Sequence, residues 1–123
     1  MFERAFQLRA DKRWREAASE FERVLEVYPE HAAAWGVYGE VLIELRDADG
    51  AIASFERAVE LAPRNSIASG MLYFTLMEQG KGVEAAAEAR RFLRLVRSGA
   101  VKDPFDDLVS VYERCEQRED EQG

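Results

Sequence analysis

Phe21-Glu22-Arg23-Val24-Leu25-Glu26-Val27-Tyr28-Pro29 returns 34 residues later as Phe55-Glu56-Arg57-Ala58-Val59-Glu60-Leu61-Ala62-Pro63, with Phe, Glu, Arg, Glu and Pro unchanged. The same offset aligns Leu8, Leu42 and Leu76, then Ala17, Ala51 and Ala85, then Leu25, Val59 and Leu93, and finally Val27, Leu61 and Leu95. Three copies therefore share one ruler. Within each copy the apolar residues recur three and four apart, as one face of a helix requires, in two segments parted by polar or glycine-containing turns. Each copy reads as a helical hairpin. One hairpin cannot bury its own apolar face, so neighbours must stack and the ends need a polar cap.

The remainder of the chain agrees with a small folded helical protein. Its 123 residues suit one ordinary domain, and 47% hydrophobic with 33% charged residues is a globular composition. The longest uncharged run, residues 65–77, is broken by Asn65, Ser66, Ser69, Gly70 and Thr75 and falls short of the roughly 20 apolar residues of a membrane span. Met1-Phe2-Glu3-Arg4 lacks the basic-then-apolar layout of a secretory signal, and a cytoplasmic location is expected. Cys115 and His31 are each the only residue of their type, which leaves a zinc cage without ligands; no metal and no cofactor are expected. The net charge of -7 is concentrated at one end, where residues 103–123 hold eight acids against two basic residues. A near-neutral body with an acidic tail lacks the basic footprint of phosphate-backbone binding, so nucleic acid is disfavoured.

The 34-residue helix-turn-helix resembles the tetratricopeptide repeat, whose pattern runs W-x2-L-G-x2-Y, then A-x3-F, then P. The middle copy carries Trp35, Tyr38, Gly39 and Leu42 on the first-helix signature, and Ala51, Phe55, Ala58 and Pro63 on the second. The first copy keeps Ala5, Leu8, Ala17, Phe21 and Pro29, with Val24 where a smaller residue is usual. The third keeps Leu72, Leu76, Gly80 and Ala85, yet places Tyr73 where the family prefers a tiny residue, and Ala89 and Phe92 where it prefers aromatic and small. The resemblance implies an all-α, right-handed α-solenoid of about seven helices. Its parts are a trimmed repeat over 1–31, a full repeat over 32–65, a degenerate repeat over 66–98, a linker over 99–103, a capping helix over 104–118 and a frayed acidic tail over 119–123. Asp103 as N-cap, Pro104 in the first turn and Asp106 and Asp107 at the positive helix end mark the start of that last helix. Its stripe of Phe105, Leu108, Val111, Tyr112 and Cys115 is expected to cover the second helix of the last repeat.

Family geometry places function on the outward stripe of each repeat's first helix. The stripe is Phe2, Phe6 and Arg9; then Ala33, Gly36, Val37, Glu40, Ile43 and Glu44; then Ile67, Gly70, Met71, Phe74, Met77 and Glu78. Arg9 is its only basic member, so the resemblance implies no clamp for a partner's terminal carboxylate. Gly36 and Gly70 cost about 1 kcal/mol each in a helix interior and are expected to leave room for a ligand. The reading is an apolar, acidic-spotted groove that takes a helical or extended segment of another protein with basic flanks, as an adaptor or scaffold. A small secretion-type chaperone for one client and a self-associating assembly protein, a homo-oligomer, are the alternatives.

Other residues read as structure. Arg90, Arg91, Arg94 and Arg97 are expected to be solvated or to pair with Asp103, Asp106 and Asp107. His31 begins a helix at the surface, and Cys115 is expected to be a buried, inert thiol. Gly80-Lys81-Gly82 is a turn and not a phosphate loop, no serine elbow occurs, and no enzyme activity is expected.

Overall fold

The computed structural model describes residues 2–122, with side chains through Arg118. Among these residues there are seven helices and no strand: α1 (Glu3–Ala10), α2 (Trp14–Val27), α3 (Ala32–Glu44), α4 (Ala48–Leu61), α5 (Ser66–Glu78), α6 (Gly82–Arg97) and α7 (Asp106–Gln122). No helix among them is long and apolar enough to cross a membrane. The chain falls into two compact units, Met1–Leu61 with α1 to α4 and Ala62–Gly123 with α5 to α7.

Helix ends repeat with the same 34-residue period as the apolar residues. Lys12, Arg46 and Gly80 close α1, α3 and α5 in the left-handed region, at φ 59°, 64° and 72°. In each case two N–H groups turn back onto the helix's last carbonyls: Lys12 onto Arg9 (3.0 Å) and Arg13 onto Leu8 (2.9 Å), Arg46 onto Ile43 (3.0 Å) and Asp47 onto Leu42 (2.9 Å), Gly80 onto Met77 (3.1 Å) and Lys81 onto Leu76 (2.8 Å). Only the third position is glycine, so Lys12 and Arg46 carry the clash of Cβ with the neighbouring carbonyl. Lys12→Gly and Arg46→Gly should each stabilise unit 1 by about 0.5–1 kcal/mol in urea denaturation, the relieved strain exceeding glycine's extra unfolded-state entropy.

Starts repeat as well. His31 Nδ1 accepts from the Ala34 N–H (3.1 Å), and 34 residues on Asn65 Oδ1 accepts from the Ala68 N–H (3.1 Å). Asp47 Oδ1 caps α4 by accepting from the Gly50 N–H (2.9 Å). The carbonyl that precedes each N-cap pair is held by a different side chain. Trp35 Nε1 donates to the Pro29 carbonyl (2.8 Å), whereas Ser69 stands at Trp35's position in the next copy and Arg91 Nη1 donates to the Pro63 carbonyl instead (2.8 Å).

In unit 1, α1, α2 and α3 share a core of Ala5, Leu8, Ala17, Phe21, Leu25, Ala34 and Val41, all buried. The small residues let paired helices approach, and the aromatic rings fill what is left. Gly39 faces the Phe55 ring so closely that no Cβ would fit, and α3 and α4 make the most extensive helix contact in the protein.

In unit 2 the exchange at these positions is compensated: Tyr73 takes Gly39's place, Ala89 takes Phe55's, and both are buried. Phe92 and Leu93 of α6 complete this core, with Tyr112 and Cys115 of α7. The last helix departs from its expected bounds of 104–118. It begins at Asp106, where the Phe105 carbonyl takes the first helical bond, from the Val109 N–H (3.0 Å). Asp103 is therefore not its N-cap. It runs on to Gln122, since nothing between 113 and 122 is glycine or proline and Glu, Gln and Arg favour helix. The tail expected to fray over 119–123 is helical through Gln122, and residue 123 lies outside the described residues.

Two of the four arginines have acidic partners other than the aspartates expected. Arg97 pairs with Glu116 (2.9 Å) and Arg91 with Glu88 (2.6 Å), rather than with Asp103, Asp106 or Asp107. Arg97 lies near the carboxyl end of α6 and meets the carboxyl half of α7, not its first turn. Glu116 is held below the usual carboxylate range by this guanidinium, a modest exposed pairing.

Candidate partner-binding site

The predicted stripe behaves differently in the two units. In unit 1 its aromatic members are half-buried parts of the core. Phe6 meets Phe21 edge-on (5.4 Å between centroids), and Phe2 packs against Phe6 (6.1 Å), Tyr28 (6.3 Å) and His31 (4.5 Å). Arg9 donates to Glu40 at 2.7 Å, so the stripe's one cation and one of its acids satisfy each other. Gly36 is buried, Val37 and Ile43 are half-buried, and Glu44 is exposed. The room expected at Gly36 is not open to solvent.

In unit 2 the stripe lies at the surface. α5 is apolar on more than one side. Leu72, Tyr73 and Leu76 turn inward, and Ile67, Met71 and Phe74 follow a second line at spacings of four and three. Ile67 is 56% exposed, Phe74 46% and Met77 41%. Single exposed apolar residues are ordinary, but Ile67 and Phe74, with Met71 between them, line one cleft of about 750 Å³. Its other wall is α7, which contributes Phe105, Leu108 and Val111, with Asp106 and Asp107 at the rim. No basic residue lines it, and Glu78 lies exposed at the end of α5.

Gly70 is buried and lines the cleft beside Leu108 of α7; a Cβ there would rest 3.5 Å from Leu108 Cδ1, an ordinary contact.

The position of α7 depends on a buried polar chain. Ser69 Oγ donates to Glu88 Oε2 (2.7 Å); with that hydrogen used, the Tyr112 hydroxyl donates to Ser69 Oγ (2.7 Å). Arg91 completes the chain with two bonds to Glu88, from Nε (2.8 Å) and Nη2 (2.6 Å). No buried side-chain nitrogen or oxygen among the described residues is left without a partner. The Tyr112 ring packs against Tyr73 (4.8 Å) and Phe92 (5.9 Å), so α7 touches both helices of the preceding hairpin, not α6 alone.

Burial pushes the Tyr112 phenol above its ordinary range, with the Glu88 carboxylate adding to it; burial and then the hydrogen bond to Glu22 do the same for Tyr38. Both groups are neutral when protonated. A raised folded-state value means that the stabilisation is complete below the unfolded tyrosine pKa of about 10 and is lost as pH rises beyond it. Urea denaturation from pH 8 upward should show stability falling above about pH 10, and Tyr112→Phe should remove part of that fall.

Sequence reasoning missed the α7 wall. The 34-residue ruler held a signal: a helix following α6 stands where the next repeat's first helix would, and such a helix meets both members of the preceding hairpin.

Short paired helices repeated at 34 residues define a helical-repeat architecture. Residues 7–66 match the family profile of the tetratricopeptide repeat. That stretch carries tetratricopeptide repeats, and the chain has the all-α helical-repeat fold, a protein-interaction fold. Among solved structures it is similar to the Sgt2 tetratricopeptide-repeat domain from Aspergillus fumigatus, at 13% identity and a TM-score of 0.70 over 97% of this chain and 76% of that one. No curated protein matches it in sequence.

Proposed function

We propose that this protein holds a partner polypeptide in the cleft between α5 and α7, through two or three apolar anchors on a short helical or extended segment with basic flanks. The observation that carries this reading is the contiguity of exposed Ile67, Phe74 and Phe105 around an apolar cleft whose only charged lining groups are Asp106 and Asp107. Apolar anchors in a pocket supply most binding energy at such surfaces, while the rim charges set orientation and encounter rate. The two aspartates lie in the first turn of α7, whose positive end stabilises them as carboxylates. They would attract lysine or arginine on either side of the anchors.

The test is selection from a random peptide library displayed on phage. Enriched peptides should combine apolar anchors with flanking lysine or arginine, and Met71→Arg should lose them while its far-ultraviolet circular dichroism stays unchanged. Enriched peptides that bind Met71→Arg as well as the parent protein would refute the assignment to this cleft.

A further inference from the structure

A second cleft, of about 720 Å³, lies wholly within unit 1. α2 and α4 form its walls and α3 its floor, where Trp35 and Tyr38 present their rings beside buried Leu42. The rim is acidic. Glu22 and Glu26 stand one turn apart on α2, and Asp47 faces them from the start of α4. The cation among the lining residues, Arg57, is engaged by Glu60 at 3.1 Å.

The floor and rim are fixed in place. Tyr38 donates its hydroxyl hydrogen to Glu22 Oε1 (2.8 Å), which holds that carboxylate against the aromatic floor. The Trp35 indole is oriented by its bond to the Pro29 carbonyl (2.8 Å). The last turn of α2 carries no basic side chain, so its carbonyl end adds negative potential to the rim. The site therefore asks for a cation with an apolar or planar body. A compact metal ion does not fit: among the described residues no group of His, Cys, Asp or Glu is placed to hold one. A guanidinium does fit, because it stacks on aromatic faces, pairs with carboxylates through a planar fork, and sheds water more readily than an ammonium. The volume is in the range of ligand sites and exceeds one side chain, leaving room for the backbone that carries it.

We propose that this unit 1 cleft binds an arginine side chain of a partner polypeptide, stacked on Trp35 and Tyr38 and paired with Glu22 and Glu26. It is separate from the unit 2 cleft and does not rest on that reading.

The experiment is a titration of the full ¹⁵N-labelled chain with the peptide acetyl-Ala-Arg-Leu-Ala-amide, and with the same peptide carrying citrulline, which keeps the shape and removes the charge. The arginine peptide should shift the Trp35 indole N–H and the amides near residues 22–26 and 47–50 saturably. The citrulline peptide should bind at least tenfold more weakly, as should the arginine peptide to Glu22→Gln/Glu26→Gln. Both glutamates are exposed, and glutamine at position 22 still accepts from Tyr38, so the fold is kept. Equal affinity for the two peptides, shifts confined to α5 and α7, or no shift in unit 1 would each overturn the proposal. Met71→Arg should leave this binding unchanged, which separates it from the unit 2 cleft.

Discussion

Tyr112→Ala should cost about 3–5 kcal/mol of stability, the range for removing a buried aromatic ring from a core. The Tyr112 side chain is fully buried and rests on Tyr73 and Phe92, so its loss opens a cavity between α7 and both helices of the preceding hairpin. The hydroxyl is a smaller matter. In Tyr112→Phe the ring packing is retained, and Ser69 keeps Glu88 as its partner, so the cost should be about 1 kcal/mol, one net hydrogen bond. Urea denaturation followed by circular dichroism gives both values. A loss below about 1 kcal/mol for the alanine variant would show that α7 is not held through this residue. The alanine variant should also lose the unit 2 cleft, because Leu108 and Val111 are placed by the same helix.

The second large effect is expected in unit 1. A Cβ on Gly39 would overlap Phe55 Cε1 and lie 2.7 Å from Cδ1 and 2.9 Å from Cζ, and the ring it meets is 2% exposed. Gly39→Ala should therefore destabilise by about 1–3 kcal/mol, although alanine is the better helix former by about 1 kcal/mol. Overpacking outweighs propensity here. The same two positions 34 residues later hold Tyr73 and Ala89, which amounts to moving the bulk from one helix to its partner. Combining Gly39→Tyr with Phe55→Ala should accordingly be less damaging than the two single changes added together. A favourable coupling of about 2 kcal/mol in a double-mutant cycle is expected, and strict additivity would show that the two helices do not share this space.

Much of this architecture was legible because it is periodic. Repetition at 34 residues placed the helices of all three hairpins, and the identical capping roles of His31 and Asn65 follow the same ruler. The left-handed turns at Lys12 and Arg46 were not legible, since neither residue favours that backbone and only Gly80 announces it. Periodicity also cannot say what an apolar stripe faces. Phe2 and Phe6 share a line with Phe74, yet the first two are enclosed by Tyr28, His31 and Phe21 while the third is exposed. Gly70 was legible as a stripe position, but its neighbour there is Leu108, 38 residues away on a helix whose partner depends on tertiary packing. The Asp103-Pro104 signal promised a helix start two residues before the real one for a similar reason: local preference favoured the cap, and Phe105 supplies the first carbonyl instead. The polar chain from Tyr112 through Ser69 and Glu88 to Arg91 spans three helices, and no local pattern encodes it.

The central claim is that the cleft between α5 and α7 holds an apolar, basic-flanked segment, and its most direct measurement is calorimetric. A peptide enriched against the parent protein should be titrated into the parent and into Phe74→Asp, a change at an exposed position whose ring meets Tyr73 edge-on (5.1 Å). The account predicts binding at least about tenfold weaker to the variant, equivalent to about 1.4 kcal/mol, with unchanged helical content. Equal affinity for the two proteins would contradict it.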